Sequence, residues 1–457
     1  MCRHIGLLGA AAMLTGLVCL GLSAAEQSVK RDPRLAKQAI LEGLRAAQQI
    51  PDASRRDWTV HCVVLAQAGI DPEGALAVVR SIGVEGEHKG IVGFILGEAS
   101  ARDPKLGLRL LTACEREYGS REDLARVAEL VRARARFADD PDSFLTGDDD
   151  ALSRNVEMLV QEDADRACQA AQRIRDPQKR DAALDLVVLR PPRRGWTAGD
   201  MEKRLLAAKA IQDKALRDRA LAEALTALAS QSPERALDIL AEVESAAAHD
   251  EALEMIAIEF AHHGQPLRGL DLARAIVGEE LREGALAYGV LAGLAPVDAD
   301  RALAMADAIK GATARLAAQQ SVVAALCRVD PDRALGLARE APETARALLL
   351  MGMFGPLTEV GRGEEAFRMA AAIEALEQRR GALEAVLAVM ARQEPAKAAA
   401  LVEQVTPGDR REEAMGILAA NLTGISPEDA LNMARRIKDP ERRAFALSRI
   451  GSFLTPR

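Results

Sequence analysis

The sequence predicts an all-α protein, a right-handed α-solenoid of about 12–13 stacked helical hairpins with a 32–33 residue period. One motif carries this prediction: a small residue, then an aliphatic residue, then apolar residues at +4 and +7, as in Ala302-Leu303-Ala306-Ile309. It begins at positions 43, 75, 107, 167, 204, 236, 269, 302, 334, 366, 398 and 430. A fixed period of this length is typical of stacked repeats that share one continuous core. Positions in each repeat are counted below from the small residue.

Composition agrees with one folded repeat domain over residues 26–454, followed by a tail at 455–457. Apolar residues make up 49% of the 457 residues, charged residues 28% and aromatic residues only 3%. Alanine and leucine therefore supply most of the predicted core. The net charge of −8 is not the basic footprint of a nucleic-acid-binding protein.

Residues 1–25 read as an export signal. Arg3 is followed by the apolar run from Ile5 to Leu22 and then by small residues ending at Ala25. Cleavage there would place the protein in the periplasm or outside the cell. The alternative is an uncleaved membrane anchor, since the run approaches the length of a spanning helix.

The first helix of each repeat, helix A, carries its own start signal. In the last repeat, Ser426 is a good N-cap, Pro427 suits the first helical position and Glu428 favours the positive end of the helix dipole. Positions 0, +1, +4 and +7 then form one apolar stripe at helical spacing.

Helix B follows a short turn. Asp439-Pro440 marks its start, and its apolar stripe begins at +16 and +17 with Ala446-Leu447. Each repeat is thus a helical hairpin that must cover its apolar face with a neighbour.

A column of arginines runs through the repeats at +13, in the first turn of helix B. An arginine there opposes the helix dipole, so we expect its head group to bond carbonyls that end helix A or an acid of the next repeat. The alternative is an anion-binding track. The column comprises Arg56, Arg180, Arg217, Arg282, Arg315, Arg379, Arg411 and Arg443, with Arg346 one residue early.

The pattern Asp439…Arg443…Ala446-Leu447 resembles HEAT-type repeats, and the proline that opens each hairpin resembles tetratricopeptide repeats. The resemblance spans about residues 33–454. It implies the solenoid architecture and no functional residue. In a tetratricopeptide-like stack, helix A would line the concave groove with its outward positions +2, +5 and +6.

Two segments break the period. Between 107 and 167 the step is 60 residues, which indicates an irregular repeat preceded by an exposed acidic loop at 137–150. That loop either is simply solvated or binds Ca²⁺. An insertion at 191–197 carries Trp196 beside Arg193 and Arg194, a combination common at interface hot spots. Alternatively, Trp196 folds back to fill the enlarged gap.

The sequence contains no recognisable catalytic constellation. We find no nucleophile elbow, phosphate-binding glycine loop or paired-cysteine zinc site, and we expect no cofactor and no metal. Glu259 and His263 could meet a metal on one helical face, but no third ligand is evident. The four cysteines beyond residue 25 are expected to be small buried hydrophobic residues.

The predicted function is that of an exported, non-catalytic scaffold that binds a protein or peptide in its concave groove. The locally basic C-terminal end, with Arg435 and Arg436, would receive an acidic partner. An architectural subunit or spacer of an envelope complex is the alternative, and an envelope enzyme on a solenoid body is a third possibility.

Overall fold

A computed structural model describes residues 32–81, 89–118, 122–190 and 198–455. Over these ranges the chain is all-helical and solenoid-like, with antiparallel helices A and B in successive hairpins and no strand. The predicted export signal at 1–25, residues 191–197 and most of the tail lie outside the described residues.

The described chain forms two compact units. The first comprises the residues up to Val131 and those from Arg362 onward, and the second comprises Arg132–Gly361. The helices of the first unit are α1 Pro33–Ala47, α2 Ala53–Ala68, α3 Pro72–Ser81, α4 Lys89–Arg102, α5 Pro104–Tyr118, the start of α6 Glu122–Asp139, and then α21 Gly363–Ala371, α22 Leu376–Gln393, α23 Pro395–Glu403, α24 Gly408–Leu422, α25 Pro427–Arg435 and α26 Pro440–Leu454.

The second unit continues α6 and contains the remaining hairpins. Its helices are α7 Asp149–Glu162, α8 Ala164–Arg173, α9 Pro177–Leu189, α10 Ala198–Ala210, α11 Lys214–Ala229, α12 Pro233–Leu240, α13 Ala246–His262, α14 Pro266–Ala275, α15 Glu279–Ala285, α16 Leu291–Leu294, α17 Ala299–Asp307, α18 Ala312–Leu326, α19 Pro331–Glu340 and α20 Glu343–Leu357. Within each unit, a helix B packs against both helices of the following hairpin.

Aspartates cap these helices more effectively than serines. Asp439 accepts a hydrogen bond from the Arg442 amide at the start of α26. Ser426 occupies the N-cap of α25 as predicted, but its hydroxyl donates to the Asp429 carboxylate at 2.7 Å instead of accepting an amide. The prediction for Ser426 was therefore wrong in its bonding, because a nearby carboxylate attracts the hydroxyl proton.

The arginine column ties helix B to the end of helix A. Five of its members donate through Nη1 to the carbonyl of the isoleucine at +7: Arg56 to Ile50, Arg282 to Ile276, Arg315 to Ile309, Arg379 to Ile373 and Arg443 to Ile437. Arg379 also donates to the Glu374 carbonyl at 3.0 Å and to Glu413 of the next helix B at 3.2 Å. Arginines here satisfy carbonyls that a helix end leaves free.

A second column, at +14, locks one hairpin onto the next. Its carboxylates accept hydrogen bonds from backbone amides in the A–B turn of the following hairpin. Asp181 shows the geometry, because it accepts hydrogen bonds from the amides of Gln212 at 3.0 Å and Asp213 at 2.8 Å. Amide donors stabilise the ionised carboxylate, so they lower the pKa of the equivalent Asp149. The other members with such a bond are Asp218, Asp250, Glu283 and Glu412.

One π-helical turn and one helix break absorb residues that do not fit the period. Leu286–Val290 lies inside a helix B whose repeat has 33 residues, and the extra residue is taken up there. In the repeat that begins at 334, helix B starts one residue early, which explains the position of Arg346. Between Thr358 and Arg362 the helix is interrupted by the non-helical residues Val360 and Gly361, the latter with a φ of 84°, and this break restores the register.

The irregular repeat differs from the exposed loop predicted at 137–150. Its helix A is reduced to the 3₁₀ turn Pro141–Leu145, in which Phe144 and Leu145 are buried. Asp149 and Asp150 begin α7, where Asp150 pairs with Lys179 at 2.6 Å. The segment is therefore structured, because its two apolar side chains still join the core.

In the first unit, the last hairpin stacks on the first as if they were sequence neighbours. Helix α26 packs against both α1 and α2. Arg435 donates to both oxygens of Glu42, at 2.9 and 2.7 Å, and lowers the pKa of that carboxyl. Arg443 also reaches Gln49, at 2.6 Å. The first and last hairpins therefore cover each other's apolar faces.

Replacing Arg379 by alanine should lower the free energy of unfolding by about 1–3 kcal/mol, because buried carbonyls and Glu413 lose their donor. Arg379 is 6% exposed. The adjacent Arg380, whose side chain is 54% exposed, is the matched control and should change stability by less than about 0.5 kcal/mol. Equal effects in urea unfolding would contradict the role given to the column.

A substitution at Gly451 tests the contact between the last and first hairpins. A Cβ atom there would lie 2.5 Å from Ile40 Cγ1 and 3.3 Å from the Ala36 carbonyl oxygen. Gly451→Ala should therefore destabilise by about 1–3 kcal/mol through overpacking. Gly336→Ala is the control, since nothing lies within 4 Å of its Cβ position, and it should stabilise by about 0.4–1 kcal/mol. A stabilising Gly451→Ala in thermal unfolding would refute the contact.

Candidate functional site

Each helix B presents one face away from the core. Its buried stripe occupies mainly +16, +20, +21 and +24, as Ala318, Val322, Val323 and Leu326 show in α18. At 100° per residue, positions +15, +18, +19 and +22 lie on the opposite side. We call these four positions the B face.

The outward positions of helix A are occupied by ion pairs. Arg436 pairs with Glu403 of the preceding hairpin, and Arg435 with Glu42. Other pairs on helices A are Lys203–Asp165, Lys209–Glu242, Arg274–Asp271 and Arg333–Asp300. Several of the charges expected to line a groove are therefore engaged within the chain, most of them in pairs between repeats.

In the first unit, part of the B face is concave. Arg449 of α26 lies 3.9 Å from Glu384 of α22, although α24 stands between these helices in the stack. Gly416 holds position +18 of α24. A side-chain contact that passes over an intervening helix requires the surface to curve inward at that helix.

Aromatic side chains occupy B-face positions on the last, first and second hairpins. Trp58 at +15 of α2 is 61% exposed and stacks on His61, with ring centroids 5.5 Å apart. Phe94 at +19 of α4 is 44% exposed, and Phe445 holds +15 of α26. We call these four residues the aromatic patch. Aromatic residues are only 3% of the chain, so their placement on three consecutive helices B is notable for a solvent face.

Glycines open the surface beside the aromatic patch. On α4, the other three B-face positions are Gly90, Gly93 and Gly97. Nothing lies within 4 Å of the Cβ position of Gly90 or Gly97. Glycine inside a helix costs about 1 kcal/mol relative to alanine, and no internal packing requires it at these two positions.

The B face of the second unit carries an unpaired carboxyl group. Glu254, at +18 of α13, is half-buried and makes no hydrogen bond or ion pair with any described residue. Its carboxyl oxygen lies over Gly284 of α15, a glycine that the ring of Tyr288 in the π turn also approaches. Burial, and then the charge of Glu251, raise the pKa of Glu254 to about 7.

The site residues predicted from the sequence have different outcomes. Trp196, Arg193 and Arg194 lie outside the described residues. Arg435 and Arg436 are engaged by Glu42 and Glu403, so the basic C-terminal end is used for contacts within the chain. The B face was not predicted, because the resemblance to tetratricopeptide repeats placed the groove on helix A. The placement of Trp58 and Phe94 at +15 and +19, opposite the apolar stripe of helix B, was the sequence signal that could have indicated the B face.

Metal-binding and membrane-spanning features were sought over the same ranges. In the described part of the chain, no group of three or more histidine, cysteine or acidic side chains could hold a metal. His263 bonds the Glu259 carbonyl through Nδ1 at 2.8 Å. Cys114 and Cys327 are buried, while Cys62 and Cys168 are half-buried. No described helix is both long and apolar enough to cross a bilayer.

Comparisons with known proteins add little. No protein-family model matches the chain, and no curated protein matches it. Among solved structures, the chain is similar to the crystal structure of Ton1535 from Thermococcus onnurineus NA1, with 18% identity over 69% of this chain and 98% of that chain. The TM-score is 0.22, so this similarity carries no argument about fold or function.

The raised pKa of Glu254 predicts that the stability of the protein depends on pH. Its folded pKa of about 7 lies above the ordinary value of 4.5, so ionisation disfavours the folded state. The stability of the native protein should fall as pH rises from about 4.5 to 7 and then level off. Glu254→Gln should match the native protein at pH 4.5 and exceed it at pH 8 by about 1–2 kcal/mol, a value reduced for solvent screening.

Urea unfolding at the two pH values measures this difference. Glu223→Gln, a change of an exposed acid on the B face of α11, is the control and should give the same small effect at both. A Glu254→Gln difference that is independent of pH would contradict the account.

Proposed function

We propose that this protein is a non-catalytic helical-repeat scaffold that binds a protein or peptide partner through its B face, with the aromatic patch as the anchor. The observation that carries the proposal is the exposure of Trp58, at 61%, on a helical-repeat surface that is otherwise poor in aromatic residues. Its neighbour Phe94 is exposed on the next helix B.

The chemistry of the patch suits an apolar anchor on the partner. Tryptophan and phenylalanine supply large contact areas at a low cost in conformational entropy, and such residues dominate binding energy when a partner covers them. Gly90 and Gly97 would let a partner's backbone or side chain approach α4 closely. On helix A, by contrast, the charged residues Arg435 and Arg436 are already paired within the chain.

The proposed setting is outside the cytoplasm, supported by the apolar run and small-residue end of residues 1–25. An architectural subunit of an envelope complex would use the same repeats without a dedicated patch. The insertion with Trp196, Arg193 and Arg194 remains a second proposed anchor, supported by its composition alone.

Co-purification from an extracytoplasmic fraction tests the proposal. The native chain should retain one partner in stoichiometric amount, identified by mass spectrometry. Trp58→Ala should weaken its capture at least tenfold, which corresponds to about 1.4 kcal/mol, while the melting temperature changes little. Leu206→Ala removes a side chain that is 65% exposed on helix A and should leave capture intact.

Three outcomes would oppose the assignment. Retention of the partner by a Trp58→Ala, Phe94→Ala double variant would exclude the aromatic patch. Loss of capture only with Trp196→Ala would move the anchor to the insertion. A large fall in melting temperature with Trp58→Ala would make the tryptophan a structural residue.

A further inference from the structure

The second unit contains an internal ion pair that serves as a template. Asp185, at +18 of α9, receives a hydrogen bond from Arg219, at +15 of the next helix B, with Nη2 and Oδ2 2.7 Å apart. The Asp185 side chain is 14% exposed and the Arg219 side chain 55%. Stacked repeats therefore place an acid at +18 within reach of a cation at +15 of the following hairpin.

The same pair of positions recurs at α13 and α15 with one member changed. Glu254 supplies the acid at +18, but Gly284 holds +15 of the following hairpin. A Cβ atom on Gly284 would collide with a carboxyl oxygen of Glu254, so the carboxyl lies over the glycine. No described residue gives Glu254 the cation that Arg219 gives Asp185.

The groups around Glu254 favour a positive charge. Glu251, one turn earlier on α13, is exposed and acts on Glu254 as a like charge. Tyr288 also brings its ring to Gly284, where Cδ2 would be 4.0 Å from a Cβ atom. A carboxylate beside an aromatic ring binds alkylammonium and guanidinium groups through charge-assisted hydrogen bonds and cation–π contact.

We propose that Glu254, Glu251 and Tyr288 form a binding site for an organic cation, an alkylammonium or guanidinium group that occupies the place Arg219 holds in the earlier hairpin. The site is separate from the aromatic patch and does not depend on it. Its ligand is either an arginine or lysine side chain of another protein or a free polyamine.

Fluorine NMR of the full chain labelled with 3-fluorotyrosine tests the site. The sequence has two tyrosines, and a Tyr118→Phe variant assigns the two signals. Ethylguanidinium should shift the Tyr288 signal saturably, whereas the neutral ethylurea should not. Binding should tighten roughly 30-fold from pH 5.5 to 8, the ratio of ionised fractions for a carboxyl with a pKa of about 7.

Three variants separate the site from general effects. Glu254→Gln should abolish the saturable shift, and Glu223→Gln, which changes an exposed acid on α11, should preserve it. Gly284→Arg restores the template pair inside the chain and should abolish binding while the protein stays folded. The Glu254 side chain can move aside for the new Cβ, because the colliding atom is the end of a flexible chain.

These binding measurements can overturn the organic-cation site or identify its ligand. Equal shifts with ethylurea, persistence in Glu254→Gln, or saturation by Ca²⁺ at lower concentration than by ethylguanidinium would overturn the organic-cation site. If the site holds, tighter binding of a blocked arginine tripeptide than of spermidine assigns a protein side chain as the ligand. The reverse order assigns a free polyamine.

Discussion

Each hairpin of this protein has an apolar face that only another hairpin can cover. Ala430 and Leu431 on helix A and Ala446 and Leu447 on helix B are buried, yet all four belong to a pair of helices too small to enclose them. Stability in such an array is shared between neighbours. In the first unit, this requirement extends to the chain's last hairpin, which covers and is covered by the first.

The columns of polar side chains at +13 and +14 fix how each hairpin stacks on the next. The arginine at +13 closes its own hairpin onto the end of helix A, while the acid at +14 bonds amides of the next hairpin. Both use backbone groups that helix ends leave unsatisfied, so they fix the register without large side-chain interfaces. Apart from Glu413, which accepts a hydrogen bond from Arg379, the B face takes little part in these columns and carries aromatic residues, glycines and the unpaired Glu254.

The sequence predicted the helical-hairpin architecture because a 32-residue period and apolar spacing are local signals. It also drew attention to the arginines at +13, but not to Asp181 or Asp250 at +14, since an acid in the first turns of a helix needs no special explanation. It treated Arg435 and Arg436 as a free basic end. The partner of Arg435, Glu42, is almost 400 residues away, and no local pattern shows that α1 and α26 meet.

Hydrogen exchange in an Ile40→Asp variant tests most directly whether the terminal hairpins depend on each other. Ile40 is 2% exposed on α1, so a charge there should open its contact with α26. The account predicts loss of amide protection in both α1 and α26, while α11 in the second unit keeps its protection. Unchanged protection of α26 beside an unprotected α1 would contradict it.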